Sequence, residues 1–329
     1  MASTGTPISE VGEFGLVARI AEALAGQPTD AVEVGLGDDA AVVHVPGDGR
    51  VVVSTDMLVE GRHFRRDWST GADVGARAAA QNLIDIAVMG ATPTTLVVAL
   101  GLPAELTAEW VSDLYAGMRE EATAQGAVIV GGDLVRSDRV VIAVTALGAL
   151  TGTAAVRRAG AQPGDVVAVA GRLGWAAAGL SILSRGFRTP RVLVDAHRRP
   201  EPPYEAAAAA AAAGATAMID VSDGLVADLR HLALASGVVV ELDPALLVVD
   251  EPVAAAASAF NADPLVWVCT GGEDHAVAAT FPAGAALPEG FSVVGRVADV
   301  DEVELLDAPG IVVGGRVPRG TGGHDHFAG

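Results

Sequence analysis

Six times along this chain a short apolar segment gives way to small residues and then to an acid. The six are Gly37-Asp38-Asp39, Ser54-Thr55-Asp56, Asn82-Leu83-Ile84-Asp85, Gly131-Gly132-Asp133, Asp220-Val221-Ser222-Asp223-Gly224 and Gly271-Gly272-Glu273-Asp274. Glycine lets the backbone turn sharply and lets a ligand come close, and in α/β proteins ligands gather where strands end. One such acid needs no more explanation than a turn whose carboxylate caps local N–H groups. Six with the same grammar ask for a shared destination. Carboxylates a few ångströms apart repel by about 4 kcal/mol per pair at an effective dielectric of 20, so a converging set requires cations between its members. Donors that are all oxygen, here carboxylates with the hydroxyls of Ser54 and Thr55, select Mg²⁺ over zinc. The residues alone therefore point to a multi-Mg²⁺ site holding an anion such as a nucleoside triphosphate.

Within that set the acids have different settings. Asp56 is expected at the end of a strand beside two hydroxyl residues, and Asp85 falls in a helix-like apolar run where an unpartnered carboxylate would be costly. Asp220 and Asp223 flank a turn into a helix, so one of them could cap it. Asp38 stands open between a direct ligand and an acid that supports one.

The charge pattern removes several function classes. All 21 cationic side chains are arginine against 41 acids, a formal net charge of −20, and there is no lysine. That excludes a Walker-A loop, the protein-kinase strand lysine and any lysine Schiff-base or pyridoxal-phosphate mechanism. The acid excess speaks against nucleic acid or an anionic membrane as the main partner. The single cysteine, Cys269, can form neither an internal disulfide nor a thiolate zinc site and reads as an inert apolar residue. A zinc site at His324 and His326 is likewise disfavoured by the oxygen-rich surroundings. Met1–Gly12 shows no secretory pattern, and the apolar runs are broken well before ~20 residues, so a cytoplasmic protein that does not span a membrane is expected.

Length and element order give the organisation. A chain of 329 residues is long enough for two cores. Strand patterns at 50–54, 127–130, 140–150 and 166–170 alternate with helix patterns at 107–125 and 225–236, closed by Gly126 and Gly237. Trp110, Val111, Leu114, Tyr115 and Met118 share one face of the first helix, and the alanine run 206–213 reads as a packed helix. Met57, Met89 and Met118 are expected in the packing. The seam is placed near 151–157, giving halves 1–150 and 151–329.

Taken in order, the blocks resemble the thiamine-monophosphate kinase family, whose superfamily also includes aminoimidazole ribonucleotide synthetase and selenophosphate synthetase. The resemblance runs through Gly12-Glu13-Phe14, Gly37-Asp38-Asp39-Ala40, the segment 54–64 (STDMLVEGRHF), 80–91 (AQNLIDIAVMGA), Gly131-Gly132-Asp133, 158–165 (RAGAQPGD), 219–225 (IDVSDGL), Gly271-Gly272-Glu273-Asp274 and Asp325-His326-Phe327. It implies a two-domain synthetase-like fold, with an N-terminal α/β half that forms a homodimer through its sheet and a C-terminal α+β half. It also implies transfer of the γ-phosphoryl group of ATP to thiamine monophosphate, assisted by several Mg²⁺ ions. Carried over by position, the metal ligands are Asp39, Ser54, Thr55, Asp56, Asp85, Asp133, Asp220 and Asp223. Gly132, Asp133, Arg158 and Ser222 would contact ATP; His63, Glu273 and His324 would contact thiamine monophosphate. No residue is assigned as a general base. The chain departs from the family at His324, where an aromatic residue is usual, and at His275 and Ala276, where tyrosine and an acid are. Two other functions would use the same residues: a sister synthetase acting on formylglycinamidine ribotide, and a Mg-nucleotide-binding protein without catalysis.

Overall fold

The computed structural model describes residues 31–318, apart from 36, 46–48, 153 and 307, together with Gly15, Ala18 and Gly323. Gly12-Glu13-Phe14, His324 and Asp325-His326-Phe327 lie outside the described residues. Two six-stranded sheets form the frame. The first holds β1 (Val32–Val34), β2 (Ala41–Val45), β3 (Gly49–Val59), β4 (Thr92–Leu102), β5 (Val128–Arg136) and β6 (Val141–Ala149), in the order β1-β2-β3-β6-β4-β5. Its pairs are antiparallel except β4 with β5. The second holds β7 (Val166–Ala170), β8 (Ala217–Val221), β9 (Val239–Leu242), β10 (Ala276–Phe281), β11 (Ser292–Ala298) and β12 (Gly310–Val313), in the order β12-β9-β11-β7-β10-β8.

One helix sits between the sheets. Helix α1 (Gly71–Val88) starts on a capping box, in which Thr70 and Asp73 each accept the other's backbone N–H. Only Ala72 and Asp73 of its residues escape burial. Leu83 and Ile86 pack into the core of the first sheet, with Val52, Leu96 and Val144. Ile84, Ala87 and Val88 pack against the second, with Met218, Val277 and Phe281. A helix apolar on nearly all sides is one that is covered on nearly all sides, and the exceptions on α1 are therefore informative: Arg77, Gln81, Asn82 and Asp85 are buried polar residues.

Helix α2 (Ala108–Ala124) lies against α1; Thr107, read from the sequence as its first residue, instead caps it, its side chain accepting the Trp110 N–H. Leu114 and Met118 carry its buried face, while Trp110, Val111 and Tyr115 are half-buried. The approach of the two helices is set by small residues: a Cβ at Gly75 would run into the Leu114 carbonyl, and one at Gly117 into that of Ala72. Gly75→Val is accordingly expected to cost about 3 kcal/mol, visible as a lower urea midpoint with unchanged slope.

The strands at 166–170 and the helix α6 at Leu225–Ser236, ended by a left-handed Gly237, match the sequence reading. Between them in chain order come α3 (Trp175–Ser184), α4 (Arg191–Arg198) and α5 (Tyr204–Ala212), the last built from the alanine run. Three expectations are corrected. Ser54-Thr55-Asp56 stands in the middle of β3 and not at its end, and Gly131-Gly132-Asp133 lies inside β5 and not in a turn. Both strands run on because neighbouring strands offer continuous partners: Ser54 to Asp56 pair with Ala146 to Val144, and Gly132 and Asp133 with Val98 and Ala99. Met89 and Met118 are fully buried, but Met57 is 55% exposed, since it points to the uncovered face of the first sheet.

Candidate active site

The two sheets meet where α1, β8 and the turn before β2 come together. Asp85 reaches this junction from the last turns of α1, Asp220 from β8, and Asp39 from the turn at 37–40. One carboxylate oxygen from each lies within 4.8 Å of the others, the one such group among the described residues. Ser54 joins them from β3: its Oγ donates to Asp85 Oδ2 (2.7 Å) and also lies 3.2 Å from the Asp39 carbonyl oxygen. Asp56, two residues on and on the same face, accepts from Gln81 Nε2 (3.1 Å), while its backbone N–H donates to Asn82 Oδ1 (3.0 Å).

Burial and repulsion from neighbouring carboxylates leave Asp39 and Asp85 reluctant to ionise. Loss of solvent, then repulsion from Asp220 and Asp38, lifts the Asp39 pKa to about 7 in spite of Arg158. Asp85 is pushed well above the carboxylate range by burial and then by Asp56, Asp220 and Asp39. Asp39 Oδ2 is buried with no hydrogen-bond partner among the described residues. An orphaned carboxylate oxygen beside two further carboxylates and a hydroxyl is a set of hard oxygen donors, and it fits Mg²⁺. Among the described residues the cation placed against it is Arg158, whose Nη2 lies 2.5 Å from Asp39 Oδ1 and whose Nε lies 3.2 Å from it. Burial works against that charge, but Asp39, Asp220 and Asp38 hold the guanidinium protonated. The Asp38 carboxylate accepts the backbone N–H groups of Arg158 and Asp39.

The C-terminal side of the site is two loops laid backbone against backbone. A Cβ at Gly272 would strike the Ser222 carbonyl, and one at Gly224 the backbone of Thr270. Glu273 N–H donates to Ser222 O (2.8 Å) and His275 N–H to Val221 O (3.1 Å). Glu273 and His275 both take positive φ, 72° and 53°, conformations that non-glycine residues rarely adopt. His275 Nδ1 stands 3.0 Å from Asp220 Oδ2, a contact the sequence pattern did not suggest. The N–H groups of Asp223 and Gly224, at the start of α6, are already taken by Asp228 Oδ2 (3.0 Å each). These two N–H groups are thus satisfied within the chain. Gly323, next to His324, lies close enough to Asp223 that a Cβ would meet its carbonyl.

The structure thus gathers Asp39, Ser54, Asp56, Asp85, Asp220 and Arg158, with Ser222, Asp223 and Glu273 on the adjoining loops. Two expected ligands are not in this group. Thr55 and Asp133 look out from the opposite face of the first sheet. Thr55 donates to the Val144 carbonyl (3.0 Å) and accepts from Thr145 Oγ1 (3.1 Å). Asp133 stands on exposed β5, at the end of a cross-strand row Met57–Ala143–Ala99–Asp133 that lines an open depression of about 360 Å³. Gly132 packs its backbone against the Val98 carbonyl. His63 occupies the loop between β3 and α1, where its Nδ1 accepts the Val59 N–H (2.9 Å). His324 lies outside the described residues.

Residues that sequence reasoning missed are Gln81, Asn82 and Arg77, polar side chains buried on the same helix as Asp85. The available signal was their spacing, since 77, 81 and 85 fall on one helical face.

Comparison with known proteins agrees with this architecture. Residues 37–150 match the family model described as the AIR synthase related protein, N-terminal domain, and residues 162–307 match its C-terminal counterpart. A protein of Mycobacterium tuberculosis named thiamine-monophosphate kinase is 49% identical over 308 residues, 93% of this chain and 91% of its own length. One of the same name from Corynebacterium glutamicum is 40% identical over 309 residues, covering 92% of this chain and 91% of that protein. Among solved structures, one described as AaThiL complexed with AMPPCP and TMP superposes with a TM-score of 0.89 at 30% identity, covering 99% of this chain and 100% of that one. The thiamine monophosphate kinase of Aquifex aeolicus gives 0.82 at 28% identity, covering 95% and 99%. No helix among the described residues is long and apolar enough to cross a membrane.

Proposed function

This chain belongs to the thiamine-monophosphate kinases of the AIR synthase related family, and on that premise we propose that it transfers the γ-phosphoryl group of ATP directly to thiamine monophosphate, releasing thiamine diphosphate and ADP. The observation that carries the reading is the convergence of Asp39, Asp85 and Asp220 within 4.8 Å, one of their oxygens unpartnered. In this reading Asp39, Asp85 and Asp220, with Ser54 and Asp56 beside them, hold Mg²⁺. The ions, when bound, offset the charge of two phosphate chains brought together and stabilise the transferred phosphoryl.

The remaining work falls to the chain's own residues. The acceptor atom is a phosphate oxygen ionised at neutral pH, so no side chain has to remove a proton, and no general base is called for. Arg158 supplies a planar fork for phosphate oxygens; Asp38, by fixing the Arg158 backbone, sets where that fork starts. Ser222 and Asp223 flank the nucleotide at the 222–224 turn. Glu273 and His63 serve the acceptor. Halves meeting near 151–157, a cytoplasmic location, and a homodimer formed through the first sheet belong to the same reading. The dimer is supported by the apolar outer face of that sheet, where Met57, Val97, Val130 and Val135 are exposed.

The test is ADP release measured with thiamine, thiamine monophosphate and formylglycinamidine ribotide, each with and without Mg²⁺. ADP is expected only with thiamine monophosphate and Mg²⁺ together, with no phosphorylated side chain trapped during turnover. Release with the ribotide instead would assign the chain to a sister synthetase, and acceptor-independent binding of ATP without turnover would make it a nucleotide-binding protein.

A further inference from the structure

Arg77, Gln81 and Asp85 recur every fourth residue of α1 and share one face. Each meets a different part of the site. Asp85 stands among the clustered carboxylates, Gln81 donates to Asp56, and Arg77 pairs with Glu273 through Nη2 and Oε2. At 1.5 Å per residue the eight residues from 85 to 77 span about 12 Å along the helix. The stripe therefore runs from the end of the site that would hold phosphates to the end that carries Glu273.

Arg77 is 2% exposed, a costly place for a guanidinium. Its Nη1 donates to the His197 carbonyl (3.0 Å), and its Nε has no partner among the described residues. Burial lowers its pKa only to about 10, so it is charged at neutral pH. Burial and then Arg77 itself lower the His197 pKa to about 3, so the imidazole beside it stays neutral. An apolar side chain of similar volume would serve packing as well or better. What arginine adds is a rigid fork at a fixed point. Glu273 needs one: its backbone is held in a left-handed conformation, and its carboxylate is one-third exposed.

We propose that Arg77 is a positioning residue for the acceptor end of the site, holding the Glu273 carboxylate at a set reach from the Asp39–Asp85–Asp220 cluster. The proposal rests on the reading of Glu273 as an acceptor contact. Arg77 itself touches neither substrate; it acts through Glu273, and it ties the acceptor end to the same rigid helix that carries Asp85.

The experiment is steady-state kinetics on the full chain, with KM for thiamine monophosphate and for ATP measured separately, for wild type, Arg77→Gln, Arg77→Lys, Glu273→Gln and the Arg77→Gln/Glu273→Gln double variant. Thermal midpoints of all five are recorded alongside. Arg77→Gln is expected to raise the acceptor KM by about tenfold or more while the ATP KM stays within about twofold, tenfold corresponding to 1.4 kcal/mol. Arg77→Lys, which keeps the charge, recovers part of that loss. The double variant is expected to match Glu273→Gln alone, the non-additivity of residues that act as a pair. Equal rises in both KM values, additive effects in the double variant, or a lowered thermal midpoint with kinetics intact would each overturn the proposal. A wild type that does not turn over thiamine monophosphate would overturn the functional reading as well, which separates that failure from the others. Should Arg77→Gln fail to fold, the comparison of Arg77→Lys with Glu273→Gln decides the question by the same KM split.

Discussion

Asp85→Asn is expected to cut acceptor-dependent ADP release by about 10²–10³-fold while making the metal-free protein more stable. The two effects have one cause. Asp85 is buried among Asp39, Asp56 and Asp220, and the energy of placing another carboxylate there is recovered only when cations enter. An amide keeps the shape and can still accept the Ser54 hydroxyl, but it takes away the charge that the cations need. The activity loss is of the size seen when a main electrostatic stabiliser of a transition state is removed. Paired measurement settles it: ADP release with and without thiamine monophosphate, and thermal unfolding in chelator. A variant that lost activity and stability together would mean that Asp85 is a structural residue and the cluster is not built for cations.

The second large effect is on pH dependence. In the unfolded chain an aspartate gives up its proton near 3.8, whereas folded Asp39 holds its own to about 7, and Asp85 shifts in the same direction. Between those values the folded state binds more protons than the unfolded one, so stability falls as pH rises. The contribution is fully present below about pH 4 and lost as pH passes 7. Metal-free protein is therefore expected to melt roughly 5–10 °C lower at pH 8 than at pH 5.5, a difference of a few kcal/mol. Millimolar Mg²⁺ is expected to raise the pH 8 midpoint and leave the pH 5.5 midpoint nearly unchanged, because protonated carboxylates do not bind it. Differential scanning calorimetry at the two pH values, with and without Mg²⁺, checks both statements. A midpoint that climbs with pH in chelator would contradict the assigned shifts.

Much of the frame could be read from local pattern. The helix at 108–124 is announced by the spacing of Leu114 and Met118 and by Gly126 after it, and α6 by its apolar face and Gly237. Asp85 was legible because a lone carboxylate in an apolar helix has few physical excuses. What could not be read was which face of a strand a residue takes once the strand runs longer than expected. With β3 extending to Val59, Ser54 and Asp56 turn to the cluster while Thr55 turns away, and with β5 extending to Arg136, Asp133 joins Thr55's side. Strand length is decided by partners distant in sequence, and no local signal carries it. The Arg77–Glu273 pair was hidden for a similar reason, since its members are joined only when the second sheet docks on α1.

The alternation along β3 restricts how this enzyme family's site can change over time. Substitutions at 54 and 56 alter one side of the sheet, substitutions at 55 and 57 the other, and each can drift by itself. Loss or gain of one residue between Gly49 and Ser54 is another matter, because side chains follow a period of two. Such an indel would present the threonine to the carboxylates and the serine and aspartate to the outer surface in a single step. A one-residue change of length in this stretch therefore keeps the site only where a bulge absorbs it, as bulges do elsewhere in this sheet, and insertions should accumulate in the loops that flank the strand.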